Sequence, residues 1–202
     1  MSKFKRFISV LAVIAIFVSN LAHISYAAIP SDVVDTEFEE AAKVLGALGI
    51  MVGDEGTGLF RPEDAIKRSE VTKVAVALKG LSEVADSSTA TKFPDVSRDH
   101  WANGFINVGT TEGLIIGDDM GNFRPDDQIT FAEAVTILVR ALGYEPQAKT
   151  KGGFPTGYIV TGSSIGLTKG VSASDNKFIS RGDVAELAYN ALTIKLMEQI
   201  YR

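Results

Sequence analysis

The chain has 202 residues, 46% hydrophobic and 22% charged, the composition of an ordinary globular protein with enough length to bury a core. Its net charge of −5 argues against nonspecific nucleic-acid binding, which depends on clustered positive charge. With no cysteine, a disulfide framework and thiolate chemistry are excluded.

Residues 1–27 read as a secretory signal peptide. Lys3, Lys5 and Arg6 form a basic start, Phe7 to Val18 an apolar run, and Ser25-Tyr26-Ala27 a small-x-Ala end, so cleavage is expected after Ala27. The run is short for a membrane span. Removing this segment takes three basic and no acidic residues and moves the net charge from −5 to −8. Bulk electrostatics then gives no help to an anionic ligand, and any such site must be built locally.

Three helix–loop–helix copies follow. Residues 28–81 form the first. Its first helix is predicted over Thr36 to Leu48, stopped by Gly49, and a glycine turn leads into Phe60-Arg61-Pro62. Its second helix carries Val71, Val74, Ala75 and Leu78 on one stripe. Residues 82–92, rich in Ser, Thr and Ala, read as a linker. Residues 93–144 form the second copy. A short amphipathic helix starts near Trp101, and Gly113 to Gly121 form a turn ending in Phe123-Arg124-Pro125. A second helix starts at Thr130, where Thr130 and Glu133 make a capping box, with Ala134, Ile137, Leu138 and Ala141 as its stripe. Residues 145–153, with Pro146 and Gly152-Gly153, read as another linker. Residues 154–195 form a shortened third copy. Phe154 falls in the Trp101 slot, the Phe-Arg-Pro element is lost, and Val184, Leu187, Ala188 and Ala191 make the last stripe. Residues 196–202 are a tail.

Copies one and two superimpose at a shift of 63, which aligns Asp32 with Asp95, Phe38 with Trp101, Phe60-Arg61-Pro62 with Phe123-Arg124-Pro125, and Glu70 with Glu133. One such unit cannot bury its stripe alone, and three can close a shared core.

The run from Phe93-Pro94-Asp95-Val96 through Trp101-Ala102, Gly113, Gly117 and Phe123-Arg124-Pro125 to Ile129-Thr130 and Ala132-Glu133 resembles the S-layer homology repeat. The second copy departs from the motif at Phe131, where copies one and three have Arg68 and Arg181. The resemblance implies an exported all-α protein in which three repeats pack with pseudo-three-fold symmetry around their second helices. It implies location in the cell wall or surface layer. It also implies noncovalent binding of an anionic, pyruvylated wall polysaccharide attached to peptidoglycan, through grooves between repeats. The alternative is a structural module that contacts other surface-layer proteins and has partly lost sugar binding. No membrane contact is expected after cleavage, and no cofactor.

The candidate ligand residues are Asp32, Arg68, Glu70, Asp95, Trp101, Gly117, Arg124 and Arg181. Arg68 and Arg181 open their helices, where a cation is unfavourable unless an anion joins it, and backbone N–H groups could then converge with the guanidinium on one carboxylate. Both are expected to face out of the bundle. Arg124 could equally make a structural salt bridge, and Asp32 and Asp95 could hold a turn. Gly117 is expected to permit positive φ or close backbone approach. Trp101 could be core or a platform for a sugar ring. No catalytic or metal-binding residues are expected. His100 stands alone beside Asp99, and the Gly117 to Asn122 turn lacks calcium-loop spacing.

Overall fold

A computed structural model describes residues 29–88 and 91–197 of the chain, so the predicted signal peptide lies outside the described residues. The described residues form eight helices and are all-α: α1 (Glu39–Ala47), α2 (Arg68–Leu78), α3 (Ser82–Asp86), α4 (Asn103–Thr111), α5 (Phe131–Ala141), α6 (Glu145–Thr150), α7 (Thr156–Ser164) and α8 (Arg181–Ala191).

The three longest helices, α2, α5 and α8, each touch the other two. Their stripes face this contact. Ala134, Ile137, Leu138, Ala141, Val184, Leu187, Ala188 and Ala191 are all buried, and Leu78 alone among the predicted stripe residues is partly exposed. The short first helix of each copy does not pack on its own partner. Instead α4 packs on α2, α7 on α5, and α1 on α8. Each second helix is therefore covered by a helix from another copy, which explains why one copy cannot stand alone.

The chain just ahead of each second helix closes the centre. Ile66 N–H donates to Ile179 O (3.3 Å), Ile129 N–H to Ile66 O (3.2 Å), and Ile179 N–H to Ile129 O (3.1 Å). All three isoleucines are buried, so their backbone groups need protein partners, and each finds one in a different copy.

The two stretches read as linkers carry the short helices α3 and α6, docked on α4 and α7. Glycine makes the docking possible. A Cβ on Gly104 would lie 2.0 Å from Ala85 O, and one on Gly157 2.1 Å from Ala148 O. The first-copy helix begins at Glu39 rather than Thr36, because Val33 to Thr36 form a turn closed by Thr36 N–H to Val33 O.

The uniform shift of 63 needs correction within the first helices. Gly49 and Gly113 end α1 and α4 with positive φ (68° and 70°), and they stand 64 apart. Glu39 and Asn103, the helix starts, also stand 64 apart. Phe38 therefore corresponds to Ala102, and the position matching Trp101 is Glu37. Phe38 is accordingly core, packed on Gly182, while Trp101 is half-exposed. The second copy has one extra residue before its first helix and one fewer in its glycine turn, which restores the shift of 63 at Phe123.

Candidate functional site

Each Phe-Arg-Pro element is fixed by the aspartate at the start of its own copy. Asp95 accepts from the N–H groups of Phe123 (2.9 Å) and Arg124 (2.6 Å), and Asp32 from those of Phe60 (2.8 Å) and Arg61 (2.7 Å). These bonds hold Arg124 (φ 59°) and Arg61 (φ 56°) in the left-handed region, which a residue with a Cβ adopts at a cost of about 1–2 kcal/mol. Partial burial pushes both carboxyls up in pKa. The backbone donors and the neighbouring arginine outweigh it, and each ends below the usual carboxylate value. Asp32 and Asp95 thus hold a turn, one of the two roles open to them from sequence.

Arg68 and Arg181 face inward, contrary to expectation. Arg68 Nε donates to Phe123 O (3.0 Å), Nη1 donates to Glu133 Oε1 (3.0 Å), and the guanidinium lies 5.1 Å from the Phe123 ring centre. Arg181 repeats this in the neighbouring pair of copies. Its Nε donates to Phe60 O (2.8 Å), its Nη1 to Glu70 Oε1 (3.1 Å), and it lies 5.0 Å from the Phe60 ring centre. Burial pulls Arg68 below the ordinary arginine pKa, and Glu133 opposes that shift. The two glutamates serve twice. Glu133 Oε2 also accepts from Thr130 N–H (3.0 Å), and Glu70 Oε2 from Lys67 N–H (2.9 Å), so one carboxylate caps its own helix and pairs with the previous copy. Thr130 Oγ1 completes the box by accepting from Glu133 N–H.

The helix N-termini are not open to an anion. Arg68 N–H donates to Asp127 O and Ser69 N–H to Pro125 O; Phe131 N–H donates to Lys177 O, and Arg181 N–H to Asp64 O. The first-turn donors are consumed by the neighbouring copy, which is why a cation is tolerated there: the positive end of each helix already meets carbonyls. Any anion must be held by side chains.

Two clefts result. The first surrounds Arg68. A hollow of about 300 Å³ is lined by Arg68, Gly117, Arg124, Glu133, Arg140 and Phe154 among others. Arg124 is half-exposed, 3.4 Å from both Asp118 and Asp127. Arg140 donates to Glu145 Oε1 (2.9 Å) and lies over the Tyr158 ring. Among the described residues Nη2 of Arg68 makes no hydrogen bond, whereas Nη2 of Arg181 donates to Val52 O (2.7 Å). The second cleft, about 320 Å³, is lined by Arg181, Glu70, Arg61 and Asp54, with Arg61 paired to Asp54 at 2.7 Å. Gly117 serves by close approach: a Cβ there would lie 2.6 Å from the Phe93 ring and 2.9 Å from Asn122 O.

The structure therefore gathers Arg68, Gly117 and Arg124 in one cleft and Glu70 and Arg181 in another. Asp32 and Asp95 act behind them. Trp101 lines neither cleft; it stacks on His100 at 5.9 Å and tilts against Phe105. Sequence reasoning missed Arg140 and the pairing role of Glu133, while Phe154, placed from sequence in the Trp101 slot with the same two possible roles, lines the cleft. The one available signal for Arg140 was its place seven residues after Glu133, two turns along the same helix face.

Where a third cleft would repeat the pattern, Phe131 replaces the arginine and is buried. Glu186 stands three residues after Asp183, as Thr136 does after Glu133. Burial first, then the charges of Glu37 and Asp183, push the Glu186 carboxyl above its ordinary pKa.

The S-layer homology domain model matches residues 31–72 and 92–135. The chain is 36% identical to a surface layer protein of Brevibacillus choshinensis, over 95% of this chain and 17% of that protein. It is 35% identical to a middle cell wall protein of Brevibacillus brevis, over 82% of this chain and 16% of that protein. It is also 36% identical to a cellulosome-anchoring protein of Acetivibrio thermocellus, over 42% of this chain and 19% of that protein. The chain thus spans about a sixth of the length of its two Brevibacillus relatives. With the matched repeats, the interlocked helices and the recurring arginine–phenylalanine–glutamate contact all in agreement, the chain belongs to the S-layer homology domain family.

Proposed function

We propose that this chain is a cell-surface anchoring module that holds an anionic wall polysaccharide noncovalently in its inter-repeat clefts. It acts by binding and not as an enzyme. The observation that carries this reading is the Arg68 cleft, where a mostly buried guanidinium keeps Nη2 free of protein acceptors beside a half-exposed Arg124. A carboxylate such as a pyruvate ketal gains charge-assisted bonds there in a partly desolvated setting. Arg140 adds positive charge at the same wall. Family membership and the names of the relatives, which include surface-layer, cell-wall and anchoring proteins, support the same reading. Two weak sites on one polymer raise avidity without a tight single contact.

Sedimentation with purified peptidoglycan tests it. The protein should pellet with walls that carry their attached polymer and stay in the supernatant once the polymer is removed. Equal pelleting with both would overturn the reading and favour direct protein or peptidoglycan contact. A second reading, contact with other surface-layer proteins, is favoured at the Arg181 cleft alone, where every guanidinium nitrogen already has a protein acceptor.

A further inference from the structure

The Arg68 cleft does not end at Phe154. A second hollow, about 460 Å³, lies against it and shares Arg124, Glu133 and Phe154 with it. Phe178, 55% exposed, also lines it, and Phe154 itself is 59% exposed. Gln128, Thr130 and Asn176 line the same hollow with neutral polar groups, beside Asp127. An exposed phenylalanine at this place is peculiar to the third copy: the residues before Ile66 and Ile129 are Ala65 and Gln128, while the one before Ile179 is Phe178.

Two exposed aromatic faces flanking a hollow with amide and hydroxyl groups suit a pyranose ring, which has an apolar face and a rim of hydroxyls. The neighbouring hollow suits the anion. Their shared lining residues, Arg124, Glu133 and Phe154, make the two hollows neighbours.

We infer that the cleft reads two consecutive sugars of the polymer. The charged residue sits in the Arg68–Arg124–Arg140 hollow, and an uncharged neighbour sits between Phe154 and Phe178. Phe178 is then a specificity-determining residue that senses the length of the bound fragment. The inference rests on the anchoring reading proposed above.

The test compares a pyruvylated monosaccharide with a pyruvylated trisaccharide cut from the polymer, on wild type, Phe178→Ala and Phe178→Trp. NMR titration that follows the amides from Gln128 to Thr130 reads this cleft apart from the one at Arg181. In wild type the trisaccharide should bind more tightly than the monosaccharide. Phe178→Ala should lose roughly three- to tenfold in trisaccharide affinity with the monosaccharide unchanged, and Phe178→Trp should keep the gain. Unchanged trisaccharide binding in Phe178→Ala, or an equal loss for both fragments, would overturn the second subsite and leave the anchoring reading standing. Wild type that binds neither fragment would overturn the anchoring reading and this inference with it.

Discussion

Arg68→Ala is the most informative single change, because it separates a structural arginine from a surface one. The variant loses two charge-assisted bonds, each 3.0 Å long, to Phe123 O and Glu133 Oε1, and the contact with the Phe123 ring. Breaking a buried pair from one side typically costs about 3–5 kcal/mol, because the remaining charge is stranded. Glu133 is less stranded than that. Its side chain is 28% exposed and keeps its bonds to Thr130, so the expected loss is about 2–4 kcal/mol. A double-mutant cycle with Glu133→Gln should return a coupling of roughly 1–2 kcal/mol. Arg68→Phe gives an internal control. The second copy already buries Phe131 at this place, so phenylalanine should fill the volume and lose less than alanine. Urea denaturation followed by circular dichroism measures wild type and all four variants. An Arg68→Ala loss below about 1 kcal/mol, or a phenylalanine variant no better than alanine, would refute the inward-facing role.

Leu138→Ala or Leu187→Ala should each lose about 2–5 kcal/mol in the same assay, since both side chains are fully buried where α5 and α8 meet. Gly104→Ala should destabilise by about 1–3 kcal/mol through displacement of α3, and protection of the α3 amides from hydrogen exchange should fall first. Asp32 and Asp95 have folded pKa values below the ordinary 3.8. Their contribution is complete above that pH and is lost as pH falls through the folded values, so a double Asp→Asn variant should show a flatter acid limb in thermal melts. Glu186 has the opposite sign. Glu186→Gln should stabilise the protein at neutral pH, and the advantage should vanish as pH falls through the raised folded value towards the ordinary 4.5.

The legible parts of the fold were local ones. The Thr130–Glu133 box and the buried stripes follow from spacing within one helix, and both appear as expected. What the sequence hid depends on pairing between copies. Arg68 looks like a surface residue at a helix start until Phe123 and Glu133, 55 and 65 positions away, are brought to it. The register of Trp101 was hidden differently. An added residue before α4 and a missing one in the following turn cancel in the sequence, so a single shift fits both ends and fails between them. The alignment of Phe154 with Trp101 survives because α4 and α7 start 53 apart and both end at a glycine with positive φ 53 apart, Gly113 and Gly166. Phe178 carried no periodic signal at all; its significance lies in a hollow that two copies make together.

The cyclic exchange of helices has a mechanical consequence. The α2–α4 and α5–α7 seams join helices linked by a short stretch of chain. The α1–α8 seam joins the first and last of the described helices, and no such short stretch links them. A load applied across residues 29 and 197 therefore falls first on that seam, and α1 peels from α8 before either of the others is strained. Optical-tweezer extension should show a first, low-force step the length of α1 and its turn. A covalent clasp between α1 and α8 should erase that step and turn a tether that yields in stages into one that holds until the whole ring gives way.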